Sequence, residues 1–180
     1  GTNPYELKGF LGLRNFVMDT PEGERLAIAN SVWSLLDLEK LAPVRVPEEM
    51  AEVYALRPKF PMEYLPRKIS LPEDGGRPMD SIVIDSGRID SNHHVNNGQY
   101  AALMMERIPP EELVTRLRME YRRQARLGDS MQFVMYGTGI EGAAGTGMRT
   151  ISMCTPDGTP YAVAELCVRG RTPQEMDAWR

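Results

Sequence analysis

Apolar and polar residues alternate on both sides of a short turn at two places along the chain. Near the start the turn is Thr-Pro-Glu-Gly at 20–23, and near the end it is Thr-Pro-Asp-Gly at 155–158. Alternation with a period of two is typical of half-buried β-strands. In both turns Pro presets the φ angle of the second position and Gly accepts a positive φ angle. The pattern therefore predicts two β-hairpins, each made of two adjacent antiparallel strands.

The two hairpins form an internal repeat. Residues 13–32 align without a gap to residues 148–167, at an offset of 135 residues and with seven identities in twenty positions. A coincidental likeness is the alternative, because the shared turn supplies three of the seven identities. Roughly 70 organised residues precede the second copy after the connector described next, but only 12 residues precede the first. If the repeat is real, we expect the first unit to lack its front half and the chain to be a fragment.

A proline-rich segment separates the two copies. Residues 41–80 hold seven of the fourteen prolines, a density that excludes long helices and central strands. A short helix is expected to open at Pro47, within this segment. We therefore expect residues 1–40 to be the rear part of a first unit, residues 41–80 a connector, and residues 81–172 a second, complete unit.

The second unit is predicted to combine one helix with an antiparallel sheet. A helical pattern covers residues 97–107 and places Tyr100, Leu103 and Met104 on one side. Such a helix needs a sheet face to pack on, so the order of elements predicts an α+β fold. Besides the closing hairpin, strand patterns cover residues 81–89, 113–125 and 131–136.

Composition narrows the class of protein. The 180 residues are 42% hydrophobic and 26% charged, with a net charge of −4, which is typical of a folded domain and not of a general nucleic-acid binder. No apolar run approaches the roughly 20 residues of a membrane span, and the first residues show no signal-peptide pattern. Two cysteines cannot make a disulfide scaffold, which favours a reducing cytoplasm. The 12 methionines suit either core filling or a pocket for a flexible aliphatic ligand.

A dense polar loop precedes the predicted helix. Residues 90–97 read Asp-Ser-Asn-His-His-Val-Asn-Asn and contain both histidines of the chain. A helix N-terminus offers unpaired N–H groups and a partial positive charge to a carbonyl oxygen or an anion. In an extended loop, the side chains of Asp90, Asn92 and His94 project the same way, and a histidine titrates near neutral pH. We therefore expect this loop to bind substrate or act in catalysis.

Two alternatives concern the same loop. Helix capping by Asn96 or Asn97, with an Asx turn at Asp90, explains part of its polar character. A metal site is the weaker alternative, because no cysteine lies nearby and adjacent histidines rarely chelate one ion together.

The loop resembles the Asp-x-Asn-x-His-Val-Asn-Asn-x-x-Tyr motif of acyl-ACP thioesterases, here at residues 90–100. Glu-Tyr-Arg-Arg at 120–123, followed by Gly-Asp-Ser at 128–130, is similar to a second stretch of that family. The resemblance covers essentially the whole chain and implies a double hot-dog fold, in which each unit is a long helix wrapped by a curved antiparallel sheet. It further implies hydrolysis of the thioester that joins a fatty acyl chain to the phosphopantetheine arm of acyl carrier protein. No cofactor and no metal are expected.

The resemblance also assigns roles to individual residues. Asp90, Asn92 and His94 match the family's loop residues, and the family's strand acid falls on Gln124, which can position a water but cannot be a base. The family's cysteine falls on Ala125, so a thiol acyl-enzyme route is not expected. We expect direct water attack, with Asp90 as base and backbone N–H groups near residues 95–98 as oxyanion hole. The residues expected to bind substrate are Val95, Asn96, Asn97, Tyr100, Arg122 and Arg123.

The expected partner is an acyl carrier protein with its fatty acyl-phosphopantetheine. Arginines at 116, 118, 122, 123 and 126 would steer an acidic carrier and hold the phosphate of its arm, with a solvated strand face as the alternative. Methionines at 104, 105, 119, 131, 135, 148 and 153 are expected to line an acyl tunnel. An acyl-CoA thioesterase and a non-catalytic acyl-binding module are the alternative functions. An incomplete first unit leaves a sheet edge open, so a homo-oligomer is expected.

Overall fold

Residues 1–40, 42–73, 75–137 and 145–178 are described by a computed structural model of the chain. The chain divides into two units, Gly1–Arg67 and Lys68–Arg180. The boundary falls inside the proline-rich segment, whose first residue, Leu41, lies outside the described residues.

The first unit is built on a three-stranded antiparallel sheet with the order β1-β2-β3. The strand at the N-terminus was not predicted, since its sequence alternates poorly. Pro47 occupies the N-cap position, one residue before the short helix, and is not part of the first helical turn. The elements are β1 (Thr2–Lys8), β2 (Leu11–Asp19), β3 (Arg25–Ser34), the small pair β4 (Leu36–Asp37) and β5 (Ala42–Pro43), and α1 (Glu48–Glu52).

Two buried asparagines fix the chain after α1 to the sheet of the first unit. The Asn15 side-chain oxygen accepts hydrogen bonds from the Phe60 N–H at 3.0 Å and the Tyr64 hydroxyl at 3.1 Å. The amide of Asn3 donates to the Pro58 carbonyl at 3.0 Å. A buried amide is costly unless it is hydrogen-bonded. These bonds therefore explain why this proline-rich stretch belongs to the first unit.

The second unit contains the helix and the larger sheet that the sequence predicts. All neighbouring strands are antiparallel, in the order β6-β8-β9-β10-β7. The elements are β6 (Arg77–Val83), a 3₁₀ turn (Ser86–Arg88), α2 (Asn97–Met105), β7 (Glu112–Tyr121), β8 (Ser130–Tyr136), β9 (Thr146–Cys154), β10 (Pro160–Gly170) and α3 (Pro173–Asp177).

Two strand boundaries differ from the prediction. The strand expected at 81–89 begins at Arg77 and ends at Val83, because Pro78 is tolerated on an edge strand and Asp85 caps a turn by accepting the Gly87 N–H. The strand expected at 113–125 ends at Tyr121. There the N–H groups of residues 122 and 123 both donate to the Tyr161 carbonyl, at 2.8 and 3.0 Å, which ends the regular ladder.

The core of the second unit lies between α2 and the sheet. Tyr100, Leu103 and Met104 of the helix are buried, as predicted, among side chains from β8, β9 and β10. Inside this core Arg149 forms a doubly hydrogen-bonded ion pair with Glu112, and both side chains are at most 6% exposed. The predicted α+β arrangement of one helix on an antiparallel sheet is confirmed.

Strand register is the same in the two hairpins of the predicted repeat. In the first hairpin Met18 pairs with Ala27, and in the second Met153 pairs with Ala162, at the same offset of 135 residues. A register shift follows at the equivalent position next to each turn. Both turns close with a Thr N–H bond to the residue four positions later, at 2.9 Å. The glycines of the two turns have φ angles of 91° and 85°.

Candidate active site

The polar loop before α2 is a tight turn and not an extended segment. The Asp90 N–H donates to the His94 carbonyl at 2.9 Å, and the His93 N–H donates to the Asp90 carbonyl at 3.0 Å. His93 has a φ angle of 61°, and Ile89 and Val95 pair as a bridge on either side. The spacing argument that placed three side chains on one face therefore does not hold.

Asp90 is oriented by main-chain atoms. Its Oδ1 accepts the N–H of Asn92 at 2.8 Å, so the Asx turn considered as an alternative is present. Its own N–H is held by the His94 carbonyl. Asn92 and His94 thus both contact Asp90, but through their backbones. Within the described parts of the chain, the second carboxylate oxygen has no hydrogen-bond partner and the residue is half-buried.

The first turn of α2 leaves one donor unused. Asn96 is the N-cap, with its side-chain oxygen accepting the Gly98 N–H at 2.8 Å. The Val95 N–H donates to the Ala125 carbonyl at 2.9 Å, and the Asn96 N–H to a carbonyl at 3.0 Å. Of the N–H groups at 95–98, only that of Asn97 has no partner among the residues the structure covers. Of the N–H groups predicted to form an oxyanion hole, this one is available to bind a carbonyl oxygen.

The segment after β7 runs along the first turn of α2. The Tyr121 hydroxyl donates to the Asn97 carbonyl at 3.1 Å, and the Ala125 N–H donates to the Tyr100 hydroxyl at 2.9 Å. Burial raises the pKa of both tyrosines, which keeps their hydroxyls protonated at neutral pH. Gln124 lies between these contacts with an exposed side chain. Tyr100, expected to bind substrate, is 2% exposed and belongs to the core.

The predicted arginines fall into two groups. Arg118 pairs with Glu165 at 3.2 Å and donates to the Lys68 carbonyl at 2.6 Å. Arg122 donates to the Ile69 carbonyl and pairs with Glu120 at 2.9 Å, so it holds the chain that enters the second unit. Arg123 instead lies over the Tyr161 ring at 5.8 Å, next to Gln124.

Glu120 completes the contacts that Arg122 makes. Its carboxylate also accepts the Ile69 N–H at 2.8 Å. Burial alone would raise the pKa of Glu120, but this hydrogen bond and the neighbouring Arg122 outweigh it and hold the pKa below its usual value.

Sequence reasoning missed two features of this region. Tyr121 was taken as one member of an alternating strand, although its hydroxyl fixes the helix N-terminus. Arg126 was grouped with the other arginines, although its backbone N–H bonds the Asp129 carboxylate in the turn before β8, at 2.9 Å. The methionines predicted to line an acyl tunnel differ in exposure. Met104, Met131 and Met153 are fully buried, while Met148 is 54% exposed.

The two cysteines and the possible metal ligands complete the chemically reactive groups considered for the site. Cys154 and Cys167 are free thiols, and burial raises the pKa of the Cys154 thiol. No group of three His, Cys, Asp or Glu side chains gathers as metal ligands in the described part of the chain. Nor does any helix described here have the length and apolar character to span a membrane.

Residues 83–159 match the sequence model of the acyl-ACP thioesterase C-terminal domain. Over this range the chain is similar to the acyl-ACP thioesterases. The matched range contains the Asp90 turn, Gln124 and Arg126. The acyl-[acyl-carrier-protein] hydrolase FATB2 of Cuphea viscosissima is 31% identical over 124 residues, which is 60% of this chain and 28% of that protein. The palmitoyl-acyl carrier protein thioesterase of Cuphea hookeriana is 30% identical over 127 residues, again 60% and 28%. The chain thus spans less than a third of these curated relatives.

Solved structures of acyl-ACP thioesterases share the fold. The enzyme from Bacteroides thetaiotaomicron matches with a TM-score of 0.77 and 19% identity, over 93% of this chain and 67% of its own. The 12:0-ACP thioesterase from Umbellularia californica matches with a TM-score of 0.79 and 16% identity, over 94% and 65%. At such identities the likeness concerns the fold, and the predicted hot-dog fold is confirmed.

Proposed function

We propose that this chain hydrolyses the thioester of fatty acyl-acyl carrier protein and releases the free fatty acid. The observation that carries the proposal is that the loop before α2 holds a half-buried, backbone-held carboxylate on Asp90, while the N–H of Asn97 at the start of α2 is unused among the described residues. A general base and an oxyanion donor are the two groups that direct hydrolysis of a thioester needs. The match over residues 83–159 supports the same assignment.

The proposed reaction starts with the carboxylate. Asp90 takes a proton from a water while the oxygen of that water forms a bond to the thioester carbon. The carbonyl oxygen becomes an oxyanion, which the Asn97 N–H and the positive end of α2 stabilise. The carbon–sulfur bond then breaks, and the proton passes from Asp90 to the sulfur. Water and thioester thus give a carboxylic acid, which ionises, and a free thiol.

Gln124 gives this proposed site a neutral amide next to the helix N-terminus. An amide can donate to or accept from the attacking water, but it cannot take its proton. We expect Gln124→Glu to raise turnover by supplying a second carboxylate. The buried position and raised pKa of Cys154 argue against a thiolate nucleophile on the closing hairpin.

The proposed partner is an acyl carrier protein whose phosphopantetheine arm bears a fatty acyl chain. The printed names of the curated relatives describe acyl carrier protein hydrolases, which supports this choice. We propose a cytoplasmic location on the basis of the two free thiols, which suit a reducing compartment. We also propose that the chain assembles as a homo-oligomer and that the methionines line an acyl tunnel.

The test is release of free thiol from purified acyl-acyl carrier proteins of several chain lengths. Asp90→Asn keeps the Asx turn but removes the base, so turnover should fall at least ~100-fold. Asp85→Asn is the matched control, because Asp85 accepts the Gly87 N–H at the same 2.8 Å in a nearby exposed turn. Asn92→Ala should change turnover less than about threefold, since Asn92 orients Asp90 through its backbone. Full turnover in Asp90→Asn would exclude this mechanism.

The same assay separates the alternatives. Faster hydrolysis of acyl-CoA than of acyl-acyl carrier protein would assign the chain to acyl-CoA thioesterases. Stoichiometric binding of the acyl group without thiol release would instead assign it to non-catalytic acyl-binding modules. Gln124 favours this alternative, because an amide cannot act as a base.

A further inference from the structure

A polar cavity of about 300 Å³ lies beside the proposed site. Its lining consists of Arg123, Gln124, Arg126 and Asp129, and we refer to it as the arginine pocket. It belongs to the segment between β7 and β8, where the chain leaves the sheet. Two arginines and one aspartate line it, so the lining carries a net charge of plus one.

The one carboxylate of the arginine pocket is already engaged. Its Oδ2 accepts the Arg126 N–H at 2.9 Å and the Tyr161 hydroxyl at 3.2 Å. Burial and the neighbouring Asp129 raise the pKa of Tyr161, so this hydroxyl remains a donor at neutral pH. Asp129 therefore fixes the turn 126–129 through its Oδ2.

The two arginines, in contrast, have donors to spare. Arg123 lies over the Tyr161 ring, with its Cζ 5.8 Å from the ring centre. Within the described ranges, neither Arg123 nor Arg126 takes part in an ion pair. A guanidinium edge offers paired N–H donors that fit a carboxylate or a phosphate. The arginine pocket is therefore suited to an anion.

The position of the arginine pocket decides between the two anions. Gln124 is followed directly by Ala125, which bonds both Val95 and Tyr100 at the start of α2. An anion beside Gln124 thus lies close to the thioester carbon in the proposed reaction. The phosphate of the carrier's arm is separated from that carbon by the whole length of the pantetheine chain. The carboxylate, however, forms at that carbon. Leu127, next to Arg126, is 62% exposed and offers apolar surface for an alkyl chain.

We propose that the arginine pocket binds the carboxylate of the released fatty acid, with Arg123 and Arg126 as charged donors and the Gln124 amide as a neutral one. The source of this carboxylate rests on the proposed function. Bound fatty acid then competes with substrate, so the product inhibits the reaction. A glutamate at 124 would cancel the positive charge of the pocket and weaken this binding.

The test is calorimetric titration of the whole chain with decanoate below its micellar concentration. Decanol, acetate and inorganic phosphate are the comparison probes. We expect decanoate to bind, and decanol, which lacks the charge, to bind at least ~10-fold more weakly. Arg126→Gln should weaken decanoate binding ~10-fold or more, and Gln124→Glu should weaken it in the same direction. Arg45→Gln, an equal charge change on an exposed residue of the first unit, should leave it unchanged.

Three results would overturn the inference: decanol binding as tightly as decanoate, unchanged affinity in Arg126→Gln, or displacement of decanoate by equimolar phosphate. Circular dichroism of each variant shows whether the fold is kept, and Gln124→Glu provides a second variant if Arg126→Gln does not fold. Thiol release is measured separately. Hydrolysis of the thioester without decanoate binding contradicts the inference and leaves the proposed function standing. Decanoate binding that needs Arg126, without hydrolysis of any thioester, defeats the proposed function and leaves the carboxylate site standing.

Discussion

The hairpins β2–β3 and β9–β10 share their register, their turn and their register shift, yet one is exposed and the other is buried. Met18 is 62% exposed and its counterpart Met153 is fully buried. Leu26 is 57% exposed, whereas its counterpart Tyr161 is 3% exposed. Hairpin geometry is therefore a local property of these sequences, while burial is decided by what packs on each hairpin.

In the second unit, the element that packs on the hairpin is α2. Ile151, Met153 and Ala164 belong to one core with Tyr100 and Leu103 of the helix. The first unit has only the five-residue helix α1 among its described residues, and none of α1 is buried. A sheet face gains hydrophobic stabilisation only where another element removes it from water.

The equivalent arginines of the two hairpins show the same contrast. Arg149 is enclosed in the core and held by Glu112. Its counterpart Arg14 donates to the Thr2 hydroxyl at 3.0 Å and lies over the Tyr54 ring at 5.7 Å, in a half-buried position. The glutamate raises the pKa of Arg149 further, through the hydrogen bond they share.

The largest expected effect comes from breaking the buried ion pair. Arg149→Leu leaves Glu112 charged and unpaired in the core, so the free energy of unfolding of the second unit should fall by about 4 kcal/mol. Arg14→Leu should cost less than about 1 kcal/mol, because water can replace its contacts. Urea unfolding followed by circular dichroism measures both. Equal losses would mean that the two hairpins do not differ in the way described, and the double replacement of Arg149 and Glu112 by Leu should recover most of the loss.

An intermediate effect is expected at the paired methionines. Met153→Ala removes a fully buried side chain and should lower the free energy of unfolding by about 3 kcal/mol. Met18→Ala changes an exposed side chain and should stay within about 0.5 kcal/mol. The same urea titrations serve here. A loss at Met18 comparable to that at Met153 would show that the face of β2–β3 is covered in solution.

The smallest expected effect concerns the two turns. Hydrogen bonds from the Thr155 hydroxyl and then the Thr159 N–H hold the pKa of Asp157 below its usual value. The stabilisation by this carboxylate is thus present above the ordinary aspartate pKa and is lost as the pH falls through the lower folded value. Carboxyl NMR titration should show a midpoint for Asp157 below about 3.9. In the first turn the equivalent Glu22 has no side-chain hydrogen bond to described residues. An ordinary midpoint for Asp157 would mean that the two turns do not differ in this respect.

The site was only partly predictable from the sequence. The residue types of the 90–97 loop and the helix that follows it were predicted, because polar clusters and helical periodicity are local signals. The Asx turn at Asp90 was only one alternative there, and the single unused N–H at Asn97 was not predicted. These features depend on where the Ala125 carbonyl and the Tyr121 hydroxyl lie, and those groups belong to the end of β7 and the segment after it, which follow α2 in the chain. For the same reason Arg122 and Arg123, adjacent in sequence, have different surroundings.

The sequence by itself determined the hairpin turns, the helix before the sheet and the resemblance to acyl-ACP thioesterases, because alternation, proline, glycine and a short polar motif act over a few residues. Only the tertiary structure decided which hairpin is buried, which arginine sits in the core and which backbone donor stays free. Burial and the pairing of polar groups are set by contacts between residues far apart in sequence. The repeat is therefore visible as a pattern of letters, whereas the difference between its two copies becomes visible only when α2 packs on one of them.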